Sequence, residues 1–475
     1  MHNPSPEPSN PLLRHLPLPF RRREGQGEGS VPPLEPTAGN KTAAAAHKCE
    51  LVLVISFLAL IAAVPVTQTC IELARHERVQ ATDVFRYEPT AQNLRQFEHT
   101  LEDKSWFQQH LRPQLQRFLF ATLRDTGAKA VTGRDDWLFY RPNLRYLVEP
   151  DRLEADPTGS KWVPPRNRAT HRQSVEQAIL RFRDQLNERG ITLVVMPVPG
   201  KPSIYPDRVT ARAVGKARQF QSSTLELLHA LQLQGVATVD LFAAFQAARE
   251  TGKLTNSTGE LYLARDTHWT PLGAQIAAQS VATKLAAMNL APAARKAFRT
   301  QSIAVQRWGD LLDMMQIPGL RGTYAPETAL CLQVLDPALG PMVPRPSDRP
   351  GTYCYPGQQA SVLVLGDSFC RIYQYPEPQS LGELPPAAAV ARSAEFGAKR
   401  LLPGSAGFIS HLALALKSPV DAIVSDGGAA TDVRRKLSTN PEILEGKQVV
   451  LWEFVERDIA LGAQGWEDVP LPKKL

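Results

Sequence analysis

The pattern of hydrophobic positions divides the chain into stretches of different character. Between Gln173 and Asp458, short runs of consecutive apolar residues alternate with amphipathic stretches of helical period. Consecutive apolar runs predict strands buried on both faces, and helices then join the strands and cover the sheet. The predicted strands lie in "ITLVVMPVPGK", "VATVDLFAAF", "SVLVLGDSF", "VDAIVSDGG" and "KQVVLWEFVERD". The pattern therefore predicts an α/β fold with a mostly parallel sheet covered on both faces.

Three further regions surround or interrupt this alternation. Apolar residues recur at helical spacing from Gln92 to Thr126, which predicts a helical stalk or lead-in within residues 72–130. The folded domain is predicted over residues 131–465, beginning with a turn and a strand in "GRDDWLFYRP". Within it, residues 296–360 are rich in proline and lack the rhythm, so an insertion or a small β excursion is expected there.

The N-terminal region combines a polar tail with an apolar stretch. Residues 1–48 are rich in proline, glycine, serine and glutamate, which predicts a disordered tail. Leu51 to Ile71 contains no charged residue. At a rise of about 1.5 Å per residue, a helix of this length crosses a hydrocarbon core of about 30 Å. A transmembrane segment is therefore predicted over residues 49–71.

Four interpretations of the apolar segment were compared. A cleaved signal peptide conflicts with the length of the preceding tail. A lipoprotein site at Cys70 conflicts with "TQTC", which lacks the leucine and small residues expected there. A buried core helix would have nothing to pack on. A retained signal-anchor fits best, and the basic residues before it place the N-terminus in the cytoplasm and the domain outside: Arg14, Arg21, Arg22, Arg23, Lys41 and Lys48.

Composition narrows the possible functions. Of 475 residues, 43% are hydrophobic and 21% are charged, and the net charge is +7. The basic residues are spread out, without runs that carry interleaved aromatic residues, which argues against nucleic-acid binding. Cys331 and Cys354 lie in two β-like runs and form either a disulfide or two isolated thiols. The spacing of His and Cys residues predicts no metal site, and no cofactor is expected.

Two short motifs carry candidate chemistry. Ser368 follows the predicted strand "SVLVLGDSF", and its backbone N–H at a helix start is suited to stabilise an oxyanion. A serine nucleophile needs a base and an orienting acid, which His268 and Asp266 in "ARDTHWTPLG" can supply. Each motif alone is weak, because many turns contain "GDS" and many histidines cap helices. Together, on a parallel-sheet pattern, they predict a Ser–His–Asp triad.

These motifs resemble a known family. "GDSF" resembles the nucleophile block of SGNH hydrolases, and "DTHW" resembles their Asp/His block, although the two blocks occur here in reversed order. With "GRDDWLFY" upstream and "WEFVERD" at the end, this order resembles the AlgJ/AlgX group of alginate O-acetyltransferases. The stretches "VMPVPGKPSIYPD" and "WGDLLDMM" resemble it too, and the resemblance covers roughly Phe97 to Asp458.

The resemblance implies a fold, an activity and roles. The fold would be a three-layer α/β/α SGNH-hydrolase-like domain. The activity would be acetyl transfer onto hydroxyls of an exported polysaccharide. Ser368 would be the nucleophile, His268 the base and Asp266 its orienter. A membrane-bound O-acyltransferase would supply the acetyl group as a partner, and a signal-anchor is consistent with that partnership.

The sequence also departs from the family pattern. The usual SGNH Asn block has no clear match, and "SDGGA" stands in its place. The oxyanion donors are therefore predicted to be the amide of Ser368 and an amide near Gly404 or Gly407. The family's "GRDGWLF" has Asp136 in place of a glycine. Because little chain follows "WEFVERD", no carbohydrate-binding module is expected there, and the cleft itself would hold the polymer.

Several further side chains are candidates for substrate contact because they follow strand ends or adjoin the two motifs. For two of them a structural role is an alternative: Lys201 as a solvated loop cation, and Trp269 as a brace for the loop. Trp452 and Glu453 are expected to support the catalytic loop. The candidate substrate contacts are Lys201, Tyr205, Trp269, Arg371, Tyr373 and Arg434.

The sequence thus favours a membrane-anchored O-acetyltransferase in the cell membrane, with its catalytic domain in the extracytoplasmic space. Two alternatives remain open. A polysaccharide O-acetylesterase would use the same residues with water as the acceptor. A non-catalytic glycan-binding scaffold of an export complex would not need an intact set of Asp266, His268 and Ser368.

Overall fold

The computed structural model describes the following residues: 39–86, 88–148, 168–215, 222–250, 259–293, 296–317, 319–341, 345–347, 349, 351–355, 360–374, 404–461 and 465–472. The chain divides into two compact units, residues 1–82 and residues 83–475. Residues 1–38 of the predicted disordered tail lie outside the described residues, so that part of the prediction stays untested.

The first unit contains one long helix, α1 (Gly39–Ala74). Its segment Leu51–Ala74 has a mean hydropathy of 2.4 and is long and apolar enough to cross a membrane, which suggests an anchor. The helix begins ten residues before the predicted boundary at Cys49, because "TAAAA" is rich in alanine, the strongest helix former. Residues 39–48 are therefore helical and do not belong to a disordered tail.

The second unit begins with helices and a small hairpin. A 3₁₀ helix, a π turn and two α-helices occupy the predicted lead-in: Gln80–Phe85, Phe107–Leu111, α2 (Ala91–Lys104) and α3 (Arg112–Leu123). Strands β1 (Ala130–Thr132) and β2 (Leu138–Tyr140) then pair antiparallel. Asp136 in their turn has a φ of 59°. This left-handed conformation explains why the family pattern has a glycine there.

A seven-stranded sheet forms the centre of the unit, in the order β4-β3-β11-β9-β10-β8-β7. Its first five strands are parallel, β8 pairs antiparallel with β10, and β7 pairs antiparallel with β8. A separate antiparallel hairpin joins β5 to β6 over nine residue pairs. The strands are β3 (Thr192–Val198), β4 (Ala237–Thr238), β5 (Arg299–Arg307), β6 (Glu327–Leu335), β7 (Arg345–Pro346), β8 (Thr352–Cys354), β9 (Val362–Gly366), β10 (Val420–Val424) and β11 (Val449–Val455).

Helices cover both faces of the sheet. They are α4 (Arg141–Val148), α5 (Arg168–Asn187), α6 (Lys201–Ile204), α7 (Pro206–Val209), α8 (Ser223–Leu233), α9 (Leu241–Glu250), α10 (Pro271–Ala287), α11 (Asp310–Met314), α12 (Leu320–Thr323), α13 (Ser368–Arg371), α14 (Phe408–Leu416), α15 (Asp432–Ser438) and α16 (Asp458–Leu461). Short 3₁₀ helices span Ala211–Ala213 and Pro441–Leu444.

Alternating side chains of each strand serve two separate cores. On β11, Val449 and Leu451 join a core with helices α9, α10 and α14, whereas Val450 and Trp452 join a second core with α5, α8 and α15. This alternation follows from the two-residue period of a strand. The predicted mostly parallel α/β/α sandwich is therefore confirmed.

Two predictions about individual segments need correction or completion. In "VATVDLFAAF", only Ala237–Thr238 is a strand, and the helix α9 already begins at Leu241. The region 296–360 holds the β5–β6 hairpin, with α11 and α12 in its connection, and strands β7 and β8 that extend the main sheet. Cys331 on β6 and Cys354 on β8 are free thiols, which corresponds to the isolated-thiol alternative.

Candidate active site

Ser368 lies at the carboxyl end of strand β9, where parallel α/β sheets place their reactive groups. The Oδ1 atom of Asp367 accepts a hydrogen bond of 2.8 Å from the Phe369 amide and caps the helix that begins at Ser368. A Cβ atom on Gly366 would lie 2.4 Å from the Cys370 sulfur. The strand end therefore needs glycine, because the chain passes close to the buried side chains beneath it.

The loop before helix α10 brings Asp266 and His268 to this serine. Thr270 caps the helix by accepting from the Gly273 amide, and Pro271 occupies its first position. The Oδ1 atom of Asp266 lies 2.7 Å from Nδ1 of His268 and accepts a second bond of 3.0 Å from the His268 amide. The Nε2 atom of His268 lies 2.9 Å from Oγ of Ser368.

The guanidinium of Arg307 binds the carboxylate of Asp266. The Nε atom of Arg307, at the end of β5, donates to Oδ2 of Asp266 over 2.7 Å. Burial would raise the pKa of Asp266, but the charge of Arg307 and the hydrogen bond from His268 hold that pKa well below its usual range. Asp266 is therefore an anion at neutral pH and fixes a proton on Nδ1 of His268, which leaves Nε2 free to accept from Ser368.

A second carboxylate lies near the same ring nitrogen of His268 as Asp266 does. The Oδ2 atom of Asp310 lies 3.5 Å from Nδ1 of His268. Burial and the charge of Asp266 raise the pKa of Asp310 to about 6. Two aspartates therefore lie near Nδ1 of one histidine, and the Asp310 carboxyl changes charge slightly below neutral pH.

Lys201 and Glu327 hold the backbone of the same loop. The buried ammonium of Lys201 donates to the carbonyls of Leu263, Ala264 and Asp266 over 2.9, 3.0 and 2.7 Å. Burial lowers the pKa of Lys201 to about 8. The Glu327 carboxylate accepts from the amides of Ala264 and Arg265 over 2.7 and 2.8 Å. The Lys201 cation thus binds backbone carbonyls of this loop, and the Glu327 anion binds backbone amides of the same loop.

A buried carboxyl supports the serine from below. The Oε2 atom of Glu453 on β11 accepts from the Asp367 amide over 2.9 Å and from the Cys370 thiol over 3.1 Å. Burial and the nearby Asp367 charge raise the pKa of Glu453 well above its usual value. Burial thus favours the protonated form of Glu453, and its two hydrogen bonds fix the start of the helix that carries Ser368.

Four of the predicted substrate contacts are aromatic or basic side chains that are buried, which leaves them little surface for contact with a substrate. The Tyr205 hydroxyl accepts from the Leu261 amide over 2.8 Å. Tyr373 and Trp269 pack in the core, and the Trp269 ring lies 5.1 Å from that of Phe369. The bracing alternative for Trp269 thus matches its burial. Arg434 lies in the other core, over the Trp452 ring.

The two remaining predicted contacts differ from each other. Lys201 is neither a substrate contact nor a solvated cation, because only 1% of it is exposed and its ammonium binds the loop. Arg371 follows Ser368 on α13, and 35% of its side chain is exposed. Its Nε atom pairs with both carboxylate oxygens of Asp426 at 2.8 Å. Arg371 therefore stays a candidate for substrate contact.

The predicted oxyanion donors lie beside the serine helix. Ser368 is the first residue of α13, where backbone amides have no partner within the helix. The segment that contains Gly404 and Gly407 is bonded to the residues after this helix, because the Ala406 amide donates to the Tyr373 carbonyl over 3.0 Å. The oxyanion role of these amides stays a prediction.

Asp266, His268 and Asp310 also form a group that could hold a metal ion, since their ligand atoms lie within 4.8 Å of one another. Their present partners argue for a different arrangement. Arg307 already provides the cation next to Asp266, and the Thr267 hydroxyl binds the Asp310 oxygen over 2.5 Å. The donor set is therefore satisfied by hydrogen bonds and does not fit a cation well.

A cavity of about 270 Å³ borders the same loop without reaching Ser368 or His268. Its walls include Trp137, Glu260, Tyr262, Leu263 and Glu327. Because neither Ser368 nor His268 lines it, this cavity is not the space in which Ser368 would react.

Arg307 and Asp310 are the site residues that sequence reasoning missed. Both lie in the region expected to be a loop-rich insertion, on either side of the pair Trp308–Gly309. The resemblance of "WGDLLDMM" to the family assigns no role to a side chain in it. The charged residues that flank this Trp–Gly pair were the available signal.

The sheet, the serine at a strand end and the histidine–aspartate loop define an SGNH hydrolase-like domain. The family model described as "SGNH hydrolase-like domain, acetyltransferase AlgX" matches residues 130–397, more than half of the chain. The chain belongs to this family, as the resemblance predicted.

The chain is also similar to curated relatives and to solved structures. The chain is 26% identical to the probable alginate O-acetylase AlgJ of Pseudomonas syringae pv. tomato over 69% of this chain and 68% of that protein. It is 28% identical to the Pseudomonas putida protein of the same name, over 69% of each. The O-acetyltransferase domain of Pseudomonas putida AlgJ matches with a TM-score of 0.45 and 23% identity over 70% of this chain and 92% of that domain. Pseudomonas aeruginosa AlgX matches with a TM-score of 0.45 and 17% identity, over 72% of this chain and 65% of AlgX.

Proposed function

We propose that this protein is a membrane-anchored O-acetyltransferase that moves an acetyl group, through an acetyl-serine intermediate, onto hydroxyls of an exported, alginate-like polysaccharide. The family supports acetyl transfer, and the names of the relatives support alginate as the acceptor class. The observation that carries the mechanism is the 2.9 Å separation between Nε2 of His268 and Oγ of Ser368, continued by Asp266.

The reaction would run in two balanced halves. Ser368 Oγ attacks the acetyl carbonyl of the donor while Nε2 of His268 takes the serine proton. The donor's leaving group departs with that proton, and an acetyl ester remains on Ser368. A polysaccharide hydroxyl then gives its proton to His268 and attacks the ester. The acetyl group moves to the sugar, and the proton returns to Ser368.

The sequence around the apolar helix supports an assignment to the inner membrane with a periplasmic domain. Basic residues precede the segment Leu51–Ala74 and favour a cytoplasmic N-terminus. The domain with Ser368 would then face the compartment through which the polymer is exported. A membrane-bound O-acyltransferase in the same membrane would supply the acetyl group from the cytoplasmic side.

The test uses the full chain purified in detergent. p-Nitrophenyl acetate serves as the donor, and alginate oligosaccharides or neutral cellulose oligosaccharides serve as acceptors. Nitrophenol release and the mass of the oligosaccharides are followed together. The variants are Ser368→Ala and His268→Ala. The matched control is Ser438→Ala, because this serine lies on α15 and its hydroxyl donates to the carbonyl of Pro470.

The outcomes separate the candidate functions. Acetylated alginate oligosaccharides that form with the wild type and the control, but with neither active-site variant, would support the proposal. Acetate release without acetylated product would favour an esterase that uses the same serine ester. Equal turnover by the wild type and Ser368→Ala would leave a non-catalytic scaffold as the better account.

A further inference from the structure

The β5–β6 hairpin delivers two charged groups to the candidate active site. Strand β5 ends at Arg307, and helix α11 begins at Asp310, so both side chains come from the same short stretch of chain. Nine residue pairs hold the hairpin, and the amide of Val334 on β6 donates to the Ser405 carbonyl over 2.7 Å. The hairpin is therefore a rigid support and not a surface excursion.

Several hydrogen bonds join the stretch from Arg307 to Asp310 to the Asp266–His268 loop. Arg307 donates to Asp266, and the Asp310 amide donates to the same carboxylate oxygen over 3.3 Å. The Oδ1 atom of Asp310 accepts from the Thr267 amide over 2.7 Å. Asp266 thus accepts hydrogen bonds from the segment that contains Arg307 and Asp310, and Asp310 accepts one from the loop that contains Asp266.

The backbone of residues 309–311 passes close to the backbone of Arg265. The amide of Leu311 donates to the Arg265 carbonyl over 3.3 Å. Gly309 has a φ of 90°, and a Cβ atom on it would stand 2.1 Å from that same carbonyl oxygen. This contact between backbones sets where Arg307 and Asp310 point, because neither segment can shift without the other.

The charges of this cluster suit the transfer of a proton to the histidine. With neutral His268, Asp266 and Arg307 cancel, and Asp310 leaves one negative charge. When His268 takes the proton of Ser368, the imidazolium balances that charge. Asp266 alone, already paired with a buried guanidinium, would stabilise the imidazolium less, because Arg307 repels it.

We propose that Arg307 and Asp310 are positioning residues for His268: Arg307 fixes the second oxygen of Asp266, and Asp310 stabilises the imidazolium formed during acetyl transfer. This inference rests on the proposed function, because it needs His268 to act as the base. Neither residue touches the reacting atoms; each acts through the Asp266–His268 pair.

Charged or titratable groups on several elements face this cluster. Tyr373, which follows α13, and Cys331 on β6 lie close enough to Arg307 to interact with its charge. Tyr140 on β2 and Lys201 on α6 lie close enough to Asp310 for their charges to interact with it. Asp367 on the serine side faces His268 in the same way. These groups are unchanged in the variants below, so a difference between wild type and variant reports on the substituted residue.

The experiment measures kcat, KM and the pH profile of p-nitrophenyl acetate turnover with the full chain in detergent. Rates are divided by the active fraction, which is titrated from the initial nitrophenol burst. The variants are Arg307→Met, Arg307→Lys and Asp310→Asn. Two matched controls come from the same elements: Arg299→Met, exposed at the start of β5, and Asp313→Asn, on α11 and paired with Arg321.

Arg307→Met and Asp310→Asn each remove one charge, and we expect them to shift the acid limb of the pH profile in opposite directions. Both lower kcat per active site about tenfold or more and leave KM within about threefold, since neither residue binds substrate. Loss of the Arg307 cation favours the imidazolium, so the acid midpoint rises by about one pH unit. Loss of the Asp310 anion disfavours it, so the midpoint falls by a similar amount. Arg307→Lys recovers the midpoint because it restores the charge.

Unchanged kcat and midpoints in Asp310→Asn and Arg307→Met would overturn the inference, as would equal shifts in one direction or shifts in the controls. Should Arg307→Met not fold, Asp310→Asn and Arg307→Lys still decide the matter, because each keeps the size of the native side chain. Failure of the proposed function is a different result: Ser368→Ala would then retain turnover, whatever Arg307 and Asp310 do.

Discussion

The ammonium nitrogen of Lys201 lies 2.7 Å from the carbonyl oxygen of Asp266. Two further carbonyls of the same loop bind this ammonium, and the side chain is 1% exposed. A buried cation that binds three backbone oxygens fixes the course of the loop, because no water is available to replace it. Lys201 thus holds the backbone of the loop that carries His268, whereas Arg307 holds the carboxylate of Asp266.

We expect Lys201→Met to lower both stability and turnover. Three buried carbonyls would lose their donor, and each unsatisfied group costs about 1–3 kcal/mol. The free energy of unfolding should fall by about 3 kcal/mol, and kcat should fall more than tenfold, because the Asp266–His268 loop is released. Denaturant unfolding and p-nitrophenyl acetate turnover are the measurements. Lys129→Met, an exposed lysine, is the control; an active, stable Lys201→Met protein would contradict the assignment.

Gly309→Ala should damage the site without changing any charge. The new Cβ atom would stand 2.1 Å from the Arg265 carbonyl oxygen at a φ of 90°. We expect a loss of about 3 kcal/mol in stability from the clash and the strained backbone, together with lower kcat. Gly322→Ala on α12 is the control, since nothing lies within 4 Å of its Cβ position. Equal melting temperatures for the two variants would refute the close approach.

His411 should make the protein less stable as the pH falls below neutrality. Burial lowers the pKa of His411 in α14 from 6.5 to about 4. Between those values the unfolded chain binds a proton that the folded protein does not, so stability is lost as pH decreases. From pH 7 to pH 5 the wild type should lose about 2 kcal/mol more than His411→Gln.

Denaturant unfolding at both pH values measures this difference. His110→Gln, at an exposed histidine, is the control and should follow the wild type. The carboxyls of Asp310 and Asp458 titrate in this range with raised pKa values and act in the opposite direction, but they do so equally in all three proteins. Parallel pH curves for wild type and His411→Gln would show that the histidine is solvated.

Removal of divalent cations should leave turnover unchanged. Asp266, His268 and Asp310 bring three ligand atoms together, but the Arg307 guanidinium occupies the side where a metal ion would have to balance the charge. Dialysis against EDTA followed by turnover measurement checks this, with a zinc enzyme treated alongside as a positive control. Activity that EDTA abolishes and Zn²⁺ restores would mean that the cluster is a metal site.

The central sheet was predictable from sequence because four of its strands are largely runs of consecutive apolar residues. The runs in β3, β9, β10 and β11 are apolar on consecutive positions, and this occurs where both faces of a strand are buried. Strand β5 has no such signal, because "RTQSIAVQR" is largely polar and exposed at its start. A small β excursion was one expectation for this region and "ALCLQVLD" was read as β-like, but strand β5 and its pairing with β6 went unpredicted, and Arg307 with them.

Position along the chain predicted which residues reach the site, but not which way their side chains point. Ser368, His268 and Asp266 meet because strand ends and helix starts gather at one edge of the sheet. Tyr205 and Tyr373 lie near the same edge, yet both point into the core, because a large aromatic ring gains more from burial than from exposure. Packing against distant segments decides this orientation, and local sequence does not contain it.

The order of strands has a consequence for the time at which the protein matures. Strand β11 (Val449–Val455) lies between β3 and β9 in the sheet, although it follows both in the chain. Until it is synthesised, β3 and β9 each have an open edge, and such edges pair readily with other chains. The growing polypeptide thus carries two half-sheets that β11 joins. Strand β9, which leads to Ser368, is bridged to β3 only after β11 has been made.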